Sequence, residues 1–269
     1  DAETGQEKFA FVPNEMVERQ KEAFLTSTAT SGGMNNLFYG VDGAWTLHTE
    51  YVLDDSGNLT VGERTSSSIK GKQLAVGGLR MGGRGYYGLD LSNIDSPALK
   101  FNINPTDAST SCSNSNPLAC MGQSWSKPNL GYVNWGGKRT LVMFVGGGYD
   151  AGYESDTYNQ TDSKKGAGVF MFRVEDETGG GTGKAGDLLW WANANATNGL
   201  TGNRVGTNDA NLKYSVVSEI RTVDRDGDDL IDHLYFGDLG GQVFRADLNN
   251  TAGTTTANAT GLALGYICE

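Results

Sequence analysis

Short runs of β-branched and aromatic residues recur along the chain between polar stretches. Residues 73–76, 86–91, 141–145, 169–174, 216–223 and 242–248 have this character, and runs of that length predict strands rather than helices. One segment departs from the pattern. In residues 14–25, Asn14 follows Pro13, and Met16, Val17, Phe24 and Leu25 could share one helical face. A short helix capped by Asn14 is expected there. Polar loops are expected over 26–36, 106–119, 153–165, 176–185 and 193–211, with a low-complexity tract at 249–260.

Glycine sharpens this picture. The chain has 39 glycines in 269 residues and only 5 prolines, about twice the ordinary glycine usage of roughly 7%. The glycines cluster between apolar runs, at Gly77-Gly78, Gly82-Gly83, Gly136-Gly137, Gly146-Gly147-Gly148 and Gly240-Gly241, which reads as tight turns between strands. A local grammar also repeats: an apolar strand, a glycine-rich turn, then a strand with a central aromatic. Aligning Phe9, Tyr87, Phe170 and Phe244 gives intervals of 78, 83 and 74 residues. These are longer than the roughly 40–50 residues of a standard blade, and the polar loops absorb the excess. The expected fold is all-β, a β-propeller with long inter-strand insertions and about four blade repeats. The sheets would pack face to face around a centre because one twisted sheet cannot bury both of its faces alone. No linker divides residues 1–269 into two cores, so a single domain or propeller fragment is expected, with the helix 14–25 as an insertion.

Charge and cysteine narrow the function classes. The formal net charge is −11, which argues against a nucleic-acid surface, since phosphate attraction needs clustered Lys and Arg. No apolar run is long enough for a transmembrane helix. The first residues carry no basic and apolar leader, so any secretion signal is expected to have been removed. Cys112 and Cys120 bracket a short polar loop, and a disulfide closing it would stabilise the fold by roughly 2–3 kcal/mol and place the protein in an oxidising compartment. Cys268 is left over, which suggests a fragment whose third thiol pairs elsewhere.

The sharpest chemical signal is Asp224-Arg225-Asp226-Gly227-Asp228-Asp229-Leu230-Ile231-Asp232. Asp224, Asp226, Asp228 and Asp232 fall at positions one, three, five and nine. With the Leu230 carbonyl and water, they offer the hard oxygen set that Ca²⁺ takes in shells of six to eight ligands. So many carboxylates in nine residues repel one another unless a cation offsets them. An EF-hand is excluded, because its Gly at position six and Glu at position twelve are here Asp229 and Tyr235. Zinc fits worse, wanting nitrogen or sulfur ligands. Asp229 is expected to point outward. The acidic loop 150–156 lacks regular alternation and reads as plain surface.

Catalysis finds little support. His48 and His233 sit in no nucleophile or metal signature, and no G-x-S-x-G elbow occurs. The glycines of Gly82-Gly83-Arg84-Gly85 precede a strand, so no helix N-terminus is there to cradle a phosphate. Five glycosylation sequons, at Asn58, Asn159, Asn195, Asn249 and Asn258, read as chance in an Asn/Thr-rich chain.

Four stretches together resemble the C-terminal β-propeller of the PilC/PilY-type adhesins of type IV pilus tips. They are residues 7–13, residues 76–90, Gln123-Ser124-Trp125-Ser126-Lys127-Pro128 with residues 146–150, and residues 224–248. The last is the most specific, since it joins an acidic loop to Tyr235-Phe236-Gly237-Asp238-Leu239 and Gly241-Gln242-Val243-Phe244-Arg245. The resemblance implies a secreted or surface-located protein of a Gram-negative bacterium, at the pilus tip or outer membrane. It implies a role in pilus biogenesis, with calcium supporting extension against retraction, and in adhesion or twitching motility. It also implies a calcium role for Asp224, Asp226, Asp228, Asp232 and the Leu230 carbonyl. Implied partners are minor pilin subunits and a host or abiotic surface. The family's propeller has seven blades, so about four repeats would fill part of such a ring. No Arg-Gly-Asp tripeptide supports integrin binding.

The expected function is therefore a non-enzymatic, calcium-regulated pilus-tip domain. Two competing readings are a quinoprotein-like propeller oxidoreductase, whose calcium would sit with its cofactor in a central channel, and a carbohydrate-binding propeller using Tyr and Trp.

Overall fold

The computed structural model describes residues 3–25, 38–64, 66–67, 69–105, 112–158, 165–250 and 263–267. Among these residues the strands form three sheets of four or more strands, besides two short ribbons. Blade one is an antiparallel meander of β1 (Trp45–Glu50), β2 (Lys72–Gly78), β3 (Tyr86–Asp90) and β4 (Ala98–Ile103). Blade two is a second meander, of β5 (Asn129–Trp135), β6 (Lys138–Gly146), β7 (Val169–Arg173) and β8 (Leu188–Asn193). Its outer edge is extended by β9 (Gly199–Thr201) and β10 (Arg204–Asn208), with β10 parallel to β8. Blade three repeats the meander with β11 (Arg221–Val223), β12 (His233–Gly237), β13 (Val243–Asp247) and β14 (Ala263–Ile267).

Side-by-side four-stranded meanders are the unit of a β-propeller, as the sequence predicted. The first strands of neighbouring blades touch, β1 with β5 and β5 with β11, as they must when blades radiate from a centre. Polar bonds tie them together: Thr46 Oγ1 donates to the Pro128 carbonyl at 2.6 Å, and Asn129 Nδ2 to the Ile220 carbonyl at 3.0 Å.

Blade two explains why its strands read as unbroken apolar runs. A strand sends alternate side chains to opposite faces, and both faces here are covered. Val142, Phe144, Val169, Met171 and Trp190 enter the core shared with Leu234, Phe236, Phe244 and Ala246 of blade three. Their sequence neighbours Leu141, Met143, Val145, Phe170, Phe172 and Trp191 enter the core shared with Leu74, Val76, Tyr86, Phe101 and Ile103 of blade one. Blade three instead alternates, with Leu234 and Phe236 buried and His233 and Tyr235 only half-buried. Of the aligned aromatics, Tyr87, Phe170 and Phe244 fall on β3, β7 and β13, while Phe9 lies in no strand.

Local expectations meet mixed outcomes. Cys112 and Cys120 form the predicted disulfide. Gly136 and Gly137 both take positive φ, 61° and 78°, the requirement of a two-residue type I′ hairpin. Gly77 is not in a turn. It lies within β2, where a Cβ would stand 2.2 Å from the Trp45 ring. The single helix 14–25 is corrected to two short ones, Asn14–Arg19 and Glu22–Leu25, and Asn14 makes no cap; Pro13 occupies that position. Met16 is buried, but Val17, Phe24 and Leu25 are exposed. What holds this segment is polar: the buried Glu15 carboxylate accepts from the backbone N–H groups of Arg84 at 3.0 Å and Gly85 at 2.8 Å. The expected loop 193–211 contains the β9–β10 hairpin, and the expected strand 216–223 is reduced to Arg221–Val223, because the Val216 carbonyl accepts from Gly148 instead of a ladder partner. The 26–36 loop and Cys268 lie outside the described residues, as do Asn159, Asn258 and most of the 249–260 tract. No helix among the described residues is long and apolar enough to cross a membrane.

Burial on both faces of blade two predicts that Phe144→Ala and Phe170→Ala, both fully buried but in different cores, each cost about 3–5 kcal/mol. Urea unfolding checks this. A near-neutral effect on either face would show that face to be unpacked.

Candidate metal centre

The acidic segment is the loop of the β11–β12 hairpin, closed where Val223 pairs with His233 and where Asp232 N–H donates to the Val223 carbonyl at 2.9 Å. Gly227 and Asp229 take positive φ, 78° and 71°, conformations that Gly and Asp adopt more readily than other residues. The carboxylates fold the loop over themselves. Asp224 accepts from Gly227 N–H at 2.7 Å and Asp229 N–H at 2.9 Å, and Asp232 accepts from Arg225 N–H at 2.8 Å.

This curl brings oxygens of Asp224, Asp226 and Asp232 within 4.8 Å of one another, and the three could hold a metal ion. Hard carboxylate donors suit Ca²⁺ or Mg²⁺ better than Zn²⁺. Asp228 is not in the group; its Oδ1 accepts from Leu230 N–H at 2.9 Å. Asp229 points outward, as expected, and pairs with Arg139 at 2.5 Å. Among the described residues no other group of three His, Cys, Asp or Glu side chains is so placed. In the weaker acidic loop, Asp150 caps a 3₁₀ turn over Ala151–Glu154.

Sequence reading missed the groups that hold the loop in place. Asn250 Nδ2 donates to the Ile231 carbonyl at 2.8 Å and to Asp232 Oδ1 at 3.2 Å. Ile231 N–H donates to the Tyr132 carbonyl at 2.8 Å. The Arg139 guanidinium carbon lies 3.4 Å from the Tyr132 ring centre, a cation–π contact. Arg139 and Tyr132 come from blade two, some ninety residues away, so no local motif could have revealed them.

These contacts continue into blade one. Tyr132 donates its hydroxyl proton to Glu50, and Lys72 pairs with Glu50 at 3.2 Å and with Glu175 at 2.7 Å. Burial alone would raise the Glu50 pKa. The hydrogen bonds from Tyr132 and His48 and the Lys72 charge outweigh it and bring the carboxyl from 4.5 down to about 2. Burial would lower the Lys72 pKa, and Glu175 reverses that and raises it. A cavity of about 450 Å³ opens between this network and the acidic loop, lined by His48, Glu50, Tyr132, Arg139, Asp224 and Asp229 among others.

Comparison with known proteins bears on the same elements. No protein-family model matches the chain. The type IV pilus biogenesis factor PilY1 of Pseudomonas aeruginosa (strain UCBPP-PA14) is 25% identical over 254 residues, covering 91% of this chain and 16% of PilY1. The crystal structure of the P. aeruginosa PilY1 C-terminal domain superposes with a TM-score of 0.52 at 20% identity, over 97% of this chain and 40% of that one. The chain resembles the C-terminal domain of PilY1. The likeness to the PilY1 structure supports the propeller fold. The chain spans under a fifth of PilY1's length and two fifths of the PilY1 structure.

The Glu50 network has a pH signature. The folded pKa lies below the ordinary one, so its stabilisation is present above pH 4.5 and is lost as pH falls towards 2. The stability gap between wild type and Glu50→Gln is expected to narrow across that window in urea titrations. A gap independent of pH would contradict the assignment.

Proposed function

We propose that the chain is a calcium-binding, non-enzymatic propeller portion of a PilY1-like type IV pilus biogenesis factor. It would form part of a larger ring. The observation that carries the calcium reading is the approach of Asp224, Asp226 and Asp232 within 4.8 Å. Among the described residues, the basic side chain that pairs with this loop goes to Asp229 instead. Three carboxylates so close leave negative charge that a divalent cation offsets.

Asp224, Asp226 and Asp232 would hold the ion, with Asp228 and the Leu230 carbonyl closing on it as the one-three-five-nine spacing anticipates. Bound calcium would supply charge neutralisation and order in the loop. The chain's own residues would relay that order: Arg139 and Tyr132 join the loop to Glu50 and Lys72, and so to the junction of blades one and two. In the proposal this junction biases contacts with pilus subunits, and through them pilus extension and retraction, attachment and twitching motility. The similarity to a pilus biogenesis factor supports this reading. The Cys112–Cys120 bridge fits a secreted, oxidised setting.

Titration calorimetry tests the site. Wild type is expected to bind Ca²⁺, with at least tenfold weaker binding in Asp232→Ala and in Asp226→Ala. Equal affinity in all three proteins would remove the basis for the assignment.

A further inference from the structure

The acidic loop is fastened unevenly. Its second half is bonded to blade two: Asp229 pairs with Arg139 at 2.5 Å, and Ile231 N–H donates to the Tyr132 carbonyl at 2.8 Å. The Ile231 side chain also lies against Gly131, where a Cβ would stand 2.8 Å from Ile231 Cγ1. In the first half, among the described residues, the Asp224 and Asp226 carboxylates accept only from amides of the loop itself, those of Gly227, Asp229 and Asp228. Asp232, the third carboxylate of the group, belongs to the fastened half. Its Oδ2 accepts from Arg225 N–H at 2.8 Å and its Oδ1 from Asn250 Nδ2 at 3.2 Å. Asn250 is itself held on blade two. Its Oδ1 accepts from Asn134 N–H at 3.0 Å, and its backbone carbonyl accepts from Asn134 Nδ2 at 2.7 Å. Asn250 Nδ2 also donates to the Ile231 carbonyl at 2.8 Å. The amide oxygen thus faces a donor and the nitrogen faces two acceptors, which leaves Asn250 one orientation.

We infer that Asn250 is a positioning residue for the calcium site, and that through it the ion fastens blade three to blade two. The inference rests on the calcium reading and adds how that site is regulated. A carboxylate has two oxygens and about four lone-pair sites, and at Asp232 one hydrogen bond falls on each oxygen. Asn250 and Arg225 therefore orient the carboxylate and leave it lone pairs for an ion. Outer partners of this kind typically carry about 10–100-fold of a metal's affinity. Here the outer partner crosses a blade seam: Asn134 holds Asn250, Asn250 holds Asp232, and Asp232 lies within 4.8 Å of Asp224 and Asp226. Drawing those two carboxylates toward Asp232 would close the loop's first half on a half already fixed to blade two. Linkage makes the effect reciprocal: contacts across the seam raise calcium affinity, and calcium stabilises the seam by the same factor. This route is separate from the Arg139–Tyr132 contacts, which lead on to blade one.

The test is calcium titration calorimetry of the whole chain, with thermal unfolding in Ca²⁺ and in chelator, on wild type, Asn250→Ala and Asn134→Ala. Asn250→Ala is expected to weaken Ca²⁺ binding about 10–100-fold. Asn134 lies in blade two and bonds to no carboxylate of the site, yet Asn134→Ala is expected to weaken binding about fivefold or more. The Tm gap between wild type and each variant should be wider in Ca²⁺ than in chelator, because a bound ion adds stability in proportion to its affinity. A merely structural asparagine would lower the Tm equally in both conditions. Calcium should also slow exchange of the Asn134 amide in wild type and not in Asn250→Ala. Should Asn250→Ala fail to fold, Asn134→Ala carries the same comparison. Calcium binding by wild type with unchanged affinity in the variants, or equal Tm gaps in the two conditions, would overturn the clamp and leave the calcium reading standing. No binding by wild type would overturn both.

Discussion

The structure depends on covering sheets that are apolar on both sides. Blade two carries Phe144 and Met171 to one face and Met143 and Phe170 to the other. Exposing either row would forfeit roughly 1.5–3 kcal/mol per large side chain, so the sheet is stable only between two others. Blade packing is therefore the main source of the fold's stability. Hydrogen bonds such as Thr46 to Pro128 and Asn129 to Ile220 set the blades' mutual register at the inner strands.

That packing also decides where chemistry collects. With the faces filled, polar groups concentrate at the strand ends. The β11–β12 loop meets the β5–β6 hairpin through Asp229 and Arg139. That hairpin meets the end of β1 and the start of β2 through Tyr132, Glu50 and Lys72. A hollow beside Glu50 opens from the same turns of blade two, with Lys138, Arg139, Arg173 and Glu177 in its lining. One end of the molecule thus carries an acidic loop and an ion-paired blade junction in contact with each other.

What the sequence disclosed follows from whether the information is local. The runs at 141–145 and 169–174 announced strands because both faces needed apolar residues, and Gly136-Gly137 announced its turn because two positive φ values need glycine. The acidic loop was legible because one hairpin supplies its carboxylates. Strands β1 and β5 were not, since Trp45–Glu50 and Asn129–Trp135 carry polar residues such as Glu50 and Asn129 that are satisfied by partners on other blades. The helix 14–25 misled for a similar reason: Glu15, bound by two amides of blade one, anchors the segment, and of the apolar positions that suggested an amphipathic face Val17, Phe24 and Leu25 lie in solvent while Met16 alone is buried. Asn250 and Arg139 were invisible because only folding brings them to the loop.

Amide hydrogen exchange across residues 224–232, with Ca²⁺ and with a chelator, reads whether the loop is ordered by the ion. Calcium is expected to slow exchange of the Gly227, Asp229 and Leu230 amides while leaving β6 and β7 unchanged. Identical exchange of that loop in both conditions would contradict that ordering.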